Sequence, residues 1–295
     1  LFGEHAVVYG QPAIAAPVKQ VEARAEIEET TGGGLTIYAQ DLDMSLSLRH
    51  AAKNGTARMA QLVLETCGKA EPNARITLHS TIPIAGGLGS GAAVSAALGR
   101  ALSEHLGCRL SAATLSELVY ETEKIYHGTP SGIDNTVICY GQPVYFVRDV
   151  TITPFTIGQP FTLLIADTGV PSPTHEAVGD VRKAWQADPD TYNRIFESIG
   201  ELADQARLVM ERGEIDALPM LMNRNHALLQ QMGVSSPMLD HYIDIALQTG
   251  ATGAKLSGGG RGGNIIVMAD VDKLDGVQEG LEAAGITHII RTEIA

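Results

Sequence analysis

The stretch "PIAGGLGSGAAVSAALGRAL", from Pro83 to Leu102, sets a glycine-rich half directly against a strong helix former. Glycines this dense cannot hold a core, whereas the Ala/Leu/Val half that follows reads as a buried helix. The segment before it, "ARITLHSTIP" (Ala74–Pro83), alternates as a strand does. A strand, a flexible loop and a helix N-terminus in that order make an anion site. Backbone N–H groups converge there and the helix dipole adds partial positive charge. Ser90 at the junction fits either a helix cap or a metal ligand beside a phosphate. The lysine of the G-x-x-x-x-G-K-[ST] loop is absent. Gly87, Gly89 and Ala92 satisfy G-x-G-x-x-A, but Pro83 separates strand from glycines and no acid ends a strand about 20 residues on. A tight turn before a buried Gly/Ala helix is the competing reading.

The 295 residues suffice for one large or two ordinary domains. With 44% hydrophobic and 19% charged residues, a sizeable core is expected without staples. The net charge of −13 argues against nucleic acid or an anionic membrane as partner, while leaving room for a small anionic substrate. Cys67, Cys108 and Cys139 are scattered and show no C-x-x-C, so neither disulfides nor a zinc cluster is expected and a reducing cytoplasm fits best. No uninterrupted apolar run of about 20 residues offers a membrane span.

"VEARAEIEE" and "TTGGGLTIYA" read as a hairpin around a glycine turn. Helices are expected over "RHAAKNGTARMAQLVLETCGKA", Gly91–Leu106 and Ser111–His127, the last capped by Ser111. "NTVICYGQPVYFV" reads as two short strands around Gly141, and "PFTLLIAD" as a buried strand. Thr174 to Gln248 is helical in pattern, with breaks near Asp188-Pro189 and Gly213. "TGAKLS", "GNIIVMAD" and "THIIRTEI" are strands. The order of strand and helix runs gives an α+β fold, divided near 155 into domains 1–155 and 156–295.

Three further clusters carry polar groups where chemistry needs them. In "ETEKIYHGTPSGIDN", Glu123 ends a helix and Asp134 follows a Pro/Gly turn. Phosphoryl transfer to a hydroxyl needs a magnesium ion and a carboxylate facing that hydroxyl, and two acids split by a sharp turn suit those roles. The blander reading is an exposed helix-end Glu and an Asx-turn Asp, with His127 a C-terminal helix charge. "LFGEHAVVYG" places Glu4 and His5 between apolar runs, where polar groups must find partners among themselves or on a polyol. In "KLSGGGRGG", glycines between two strands let backbone approach a ligand, unless the segment is a loose surface hairpin.

Together these segments resemble the GHMP kinase superfamily, whose phosphate loop P-x-x-x-G-L-G-S-S-A is similar to "PIAGGLGSGA" here. "GEHAVVYG", "HGTPSGIDN" and "DTGVPSPT" resemble its mevalonate kinases more closely, over nearly the whole chain. The resemblance implies an N-terminal domain like ribosomal protein S5 domain 2 and a ferredoxin-like C-terminal domain. It implies ATP-dependent phosphorylation of mevalonate to 5-phosphomevalonate, a step of isoprenoid synthesis, with Mg²⁺ as cofactor and a homodimer in the cytoplasm. By position, Asp134 would be the catalytic carboxylate, and Glu123, eleven residues earlier, the magnesium ligand with Ser90. ATP would lie on Pro83, Ile84, Ala85, Gly86, Gly87, Leu88, Gly89, Ser90, Gly91, Ala92 and Ala93. Glu4, His5, Asp134, Thr174, Gly258, Gly259 and Gly260 would meet the substrate. Four positions depart from the family pattern. Its N-terminal lysine would precede Leu1, its second loop serine is Gly91, Arg261 interrupts the last glycine run, and His175 replaces a Lys or Arg. Arg261 would contact a substrate anion or point to solvent. Other readings are a GHMP kinase for phosphomevalonate, homoserine or a sugar, and a non-catalytic nucleotide-binding module.

Overall fold

The computed structural model describes residues 1–83, 87–127, 130–148 and 150–295, with 127 and 151 by backbone alone. Ile84, Ala85 and Gly86 of the expected phosphate loop, and the side chain of His127, lie outside the described residues. In chain order the first elements are β1 (Ala13–Ala15), β2 (Ala23–Glu29), β3 (Leu35–Ala39), β4 (Met44–Ser47), α1 (Gly55–Cys67) and β5 (Ala74–Ser80). Next come α2 (Ser90–His105), α3 (Ala112–His127), α4 (Ile133–Tyr140), β6 (Val144–Val147), β7 (Thr151–Pro154) and β8 (Phe161–Asp167). The chain continues through α5 (Thr174–Ala187), α6 (Pro189–Arg212), α7 (Leu218–Gln231) and α8 (Pro237–Gln248). It closes with β9 (Ala251–Ser257), β10 (Asn264–Ala269), α9 (Leu274–Ala283) and β11 (His288–Ile294). The described residues pack as two compact units, one of 21–83 and 88–141, the other of 1–20, 87 and 142–295.

In the first unit the sheet order is β2-β5-β3-β4. Alternation along β5 turns Ala74, Ile76 and Leu78 to one buried face, where they pack with Ile37, Met59, Val63, Leu98 and Leu102. Gly99 of α2 is required by this packing, since a Cβ there would lie 2.3 Å from Met59 Cε and 2.7 Å from Leu115 Cδ1. Asn54 caps α1 by accepting from the Ala57 amide, and Ser111 caps α3 by accepting from Thr114, as expected.

Three expectations are corrected in this unit. The β2 and β3 segments are not a hairpin: β5 lies between them, antiparallel to β2 and parallel to β3. The glycine turn instead crosses the start of β5, where Asn73 Oδ1 and Glu71 Oε1 accept from the Gly34 and Leu35 amides. Residues 133–140 form helix α4 rather than a strand. Gly132 enters it at φ 89° and Gly141 ends it at φ 67°, and Asn135, Thr136, Val137 and Cys139 are buried, so glycine punctuation and tertiary packing outweigh the β-branched composition. Finally, Cys67 and Cys108 form a disulfide, with Cα atoms 5.8 Å apart. It joins the end of α1 to the residue just past the Gly107 turn that follows α2. Cys139 is buried, and burial pushes its thiol up to about 12, which leaves it unreactive.

The second unit carries an antiparallel sheet in the order β11-β8-β10-β9. Leu164 and Ala166 of β8, Leu256 of β9 and Ile265 and Val267 of β10 pack with Phe196, Ile199, Leu239, Ile243, Val277 and Leu281 from the helices. A smaller sheet, β1-β6-β7, adds the N-terminal strand to β6. The expected break at 188–189 is a helix start: Asp188 accepts from the Thr191 amide and Pro189 occupies the first turn of α6. Among the described residues no helix is long and apolar enough to cross a membrane.

Candidate active site

The first cluster surrounds the N-terminus of α2. Gly87 and Gly89 both have positive φ, 71° and 68°, so the entry to the helix has the backbone that glycine alone adopts freely. Gly89 is the N-cap residue and contributes no side chain. Ser90 is therefore the first helical residue, which removes the capping role considered for it. The Ala93 amide bonds to the Gly89 carbonyl inside the helix, so the donors of the first turn are those ahead of it. Ala92 and Ala93 are themselves buried against the core.

Both predicted acids border this turn. A Cβ on Gly91 would stand 3.1 Å from Glu123 Oε1, and one on Gly89 would stand 3.5 Å from Asp134 Cγ. Both carboxylates thus lie beside the first turn of α2, Glu123 next to Gly91 and Asp134 next to Gly89. The sequence neighbours of both acids are anchored to helices. Thr122, wholly buried, donates to the Val119 carbonyl at 2.7 Å and lies 3.3 Å from the Ser95 hydroxyl of α2. Asn135 donates to the carbonyl and hydroxyl of Ser116 on α3, fixing the first turn of α4. Glu123 is only 8% exposed, which overturns its reading as an exposed helix-end residue, whereas Asp134 is exposed. Negative side chains at a helix N-terminus are favoured by its dipole, and a bound anion would compete for the same donors.

The second cluster lies in the other unit. Gly3, at φ 93°, turns the chain so tightly that a Cβ would overlap Ala13. It leads into Glu4 and His5, the latter at φ 60°. Lys255 Nζ of β9 pairs with Glu4 Oε1 and donates to the Leu256 carbonyl at 2.8 Å. His5 Nε2 lies 2.9 Å from the Gly259 carbonyl. Burial holds the His5 imidazole below its ordinary value, against the opposing pull of the Gly259 carbonyl and Glu4. Burial likewise lowers Lys255, and the Glu4 carboxylate opposes it.

The glycine turn 258–263 is clamped at Gly259, Gly260 and Gly262 and open at Gly258. Ser172 Oγ donates to the Gly260 carbonyl at 2.8 Å. A Cβ on Gly259 would lie 2.4 Å from Thr174 Oγ1, and one on Gly260 would lie 2.1 Å from the Val234 carbonyl. Thr174, at the start of α5, is thereby brought to Gly259 as the sequence grouping requires. Arg261 neither reaches an anion site nor points free into solvent: its Nη1 binds Asp180 Oδ2 of α5 at 2.7 Å. That guanidinium, with Lys183, holds the Asp180 carboxyl below the usual range. His175 is exposed.

Sequence reasoning passed over Lys255, Ser172 and Asp180. For Lys255 a signal existed: a lysine inside the apolar strand "TGAKLS" must find an anion when the strand is buried. Ser172 and Asp180 carried none, since their partners are distant in sequence.

Residues 54–142 match the family described as GHMP kinases N terminal domain, and residues 206–287 match GHMP kinases C terminal. The mevalonate kinase of Pyrococcus furiosus is 32% identical over 316 residues, covering 100% of this chain and 93% of that protein. The crystal structure of L. major mevalonate kinase in complex with R-mevalonate superposes with a TM-score of 0.85 at 31% identity, covering 99% of this chain and 92% of that one. Streptococcus pneumoniae phosphomevalonate kinase shares the fold alone, at 16% identity, with a TM-score of 0.79 and 98% and 96% of the two chains covered.

Proposed function

Given that the chain belongs to the mevalonate kinase family of GHMP kinases, we propose that it transfers the γ-phosphoryl group of ATP to the C5 hydroxyl of mevalonate. The observation that supports the site assignment is the approach of Glu123 and Asp134 to Gly91 and Gly89 in the first turn of α2. The amides of Gly89, Ser90 and Gly91 bind ATP phosphate oxygens, together with the loop that precedes them. Asp134, exposed at its helix end, faces the hydroxyl and takes its proton as the bond from oxygen to the γ-phosphorus forms. The bond from that phosphorus to the bridging oxygen breaks and ADP leaves. Such transfers depend on positioning and on charge stabilisation more than on covalent chemistry.

Glu123 and Ser90 are the residues that would hold Mg²⁺. Among the described residues no group of three or more His, Cys, Asp or Glu side chains is arranged around a metal. One carboxylate and one hydroxyl fit a magnesium ion that arrives with nucleotide phosphates and keeps several waters. When bound, the ion offsets charge on the phosphate oxygens. Glu4, His5, Thr174 and Gly258 to Gly260 meet the mevalonate. The division into an ATP-binding domain 1–155 and a C-terminal domain 156–295, which differs from the compact units above, and the homodimer belong to the same proposal; the cytoplasmic location rests on the family resemblance alone, since the Cys67–Cys108 bridge removes the cysteine argument for it.

The test is turnover by the full chain with Mg-ATP and a panel of mevalonate, phosphomevalonate, homoserine and galactose, read as ADP release and product mass. Turnover of mevalonate with formation of 5-phosphomevalonate is expected. Turnover of another panel member alone would move the protein to a sibling kinase. ATP binding in a calorimeter with no turnover of any would make it a nucleotide-binding module.

A further inference from the structure

Lys255 stands apart from the other cations of the molecule. Its side chain is wholly buried. Its Nζ serves two acceptors, Glu4 Oε1 and the Leu256 carbonyl, and lies 5.8 Å from the centroid of the Phe2 ring. The carboxylate it binds is 8% exposed, and among the described residues Glu4 Oε2 is enclosed without a hydrogen-bond partner. A buried ion pair is a costly way to join two strands of chain, because apolar side chains of the same volume do it as well or better. Leaving one carboxylate oxygen unpaired raises that cost. The neighbouring His5 is held as firmly, by its ring to Gly259 and at a backbone angle that non-glycine residues seldom adopt. Glu4 and His5 are therefore fixed on β9 and on the turn that follows it, 251 and 254 residues away in sequence.

We propose that Lys255 is a positioning residue for the phosphoryl acceptor, holding Glu4 as an oriented carboxylate whose Oε2 accepts a hydrogen bond from a substrate hydroxyl. Lys255 does not touch the substrate; its effect passes through Glu4. The choice of mevalonate as that substrate rests on the function proposed above, but the pairing does not. Lysine suits the role because its ammonium saturates one carboxylate oxygen, whereas the guanidinium of arginine tends to engage both.

The test is a double-mutant cycle on the full chain: Glu4→Gln, Lys255→Met and the two combined, each assayed for kcat and for KM toward mevalonate and ATP, with melting followed in parallel. Each single change is expected to raise the mevalonate KM on the order of tenfold or more, as loss of a hydrogen bond to a charged group does. The ATP KM stays within about threefold. The double variant, which leaves no buried charge unpaired, lies within about threefold of Glu4→Gln, because Lys255 has nothing left to position. A further tenfold loss in the double variant overturns the proposal by showing that Lys255 acts on the substrate directly. A mevalonate KM at the wild-type value in both Glu4→Gln and the double variant, with only melting changed, overturns it as a structural staple. Should Lys255→Met fail to fold, the comparison of Glu4→Gln with the double variant decides on the same terms. If the wild-type enzyme turns over another panel compound instead, the function proposed above fails while the cycle is read on that compound's KM.

Discussion

The two clusters of candidate site residues are built on opposite principles. Around α2 the groups on offer are backbone amides and two acids, and the architecture depends on glycines that supply unusual backbone angles or leave space. Around β9 the groups are a buried ion pair, a buried imidazole and a glycine turn clamped by Ser172, Thr174 and Val234. The first arrangement suits a ligand that brings its own charge and counter-ion, because amides at a helix end respond to any phosphate. The second suits a small neutral-to-anionic polyol that is distinguished by a few fixed hydrogen bonds, since enclosed polar groups left unpaired reject the wrong partner. The proposed function gives the α2 cluster the chemistry and the β9 cluster the recognition, and that reading is open to attack.

The largest effect is expected at Asp134. Asp134→Asn should lower kcat by at least ~10²-fold, the size of a general-base contribution, with little change in melting. Wild-type turnover would remove the acid from the mechanism and leave the α2 cluster a binding site only. Next in size is Gly260→Ala, which combines a φ of 75° with a Cβ 2.1 Å from the Val234 carbonyl and should destabilise by roughly 3 kcal/mol. Gly258→Ala shares the positive φ, 83°, but meets nothing within 4 Å, so about 1 kcal/mol is expected. Denaturant unfolding of the two variants would show whether the turn is clamped, as described, or merely bent; equal losses would favour the bend.

Below these comes the disulfide. Cys67→Ser with Cys108→Ser should cost about 2 kcal/mol, read as a lower midpoint in denaturant and matched by reduction of the wild type. The ratio kcat/KM should hold, because the bridge lies at the C-terminal end of α2 and the candidate site at its N-terminal end. A loss of activity equal to that of Asp134→Asn would mean that the α2 cluster depends on bracing after all.

What the sequence made legible follows a physical line. The glycine loop, the α2 helix and the residue types Glu123 and Asp134 were readable because their signals are local: propensity, punctuation and a carboxylate beside a turn. The approach of those acids to Gly91 and Gly89 was not, since it joins α2, α3 and α4, whose packing is non-local. The hairpin expectation failed because strand pairing is non-local, and nothing in the β2–β3 segment shows that β5 will enter between them. Helix α4 was misread because Thr136, Val137 and Ile138 carry a strand composition, which glycine punctuation and tertiary packing override. The cysteines misled because 41 residues of separation say nothing about distance in space.

The smallest expected effect separates the two units by pH. His5 and His226 are buried, and both belong to the unit containing β9; no buried histidine occurs among the described residues of the 21–141 unit. Burial lowers both below their ordinary value, although Asp240, 3.1 Å from His226 Nε2, opposes the shift at that ring. The folded chain therefore resists a proton that the unfolded chain accepts. As pH falls through the ordinary histidine range near 6.5 the unfolded state gains protons first, so stability present above about pH 6.5 is lost below it. The loss begins as pH falls below about 6.5 and grows toward acid. His226→Gln should flatten the dependence, and the midpoint of denaturant unfolding at pH 7.5 and 5.5 measures it. A pH dependence unchanged by His226→Gln and by His5→Asn would locate the titrating groups elsewhere and weaken the picture of the β9 cluster as dry and pre-formed.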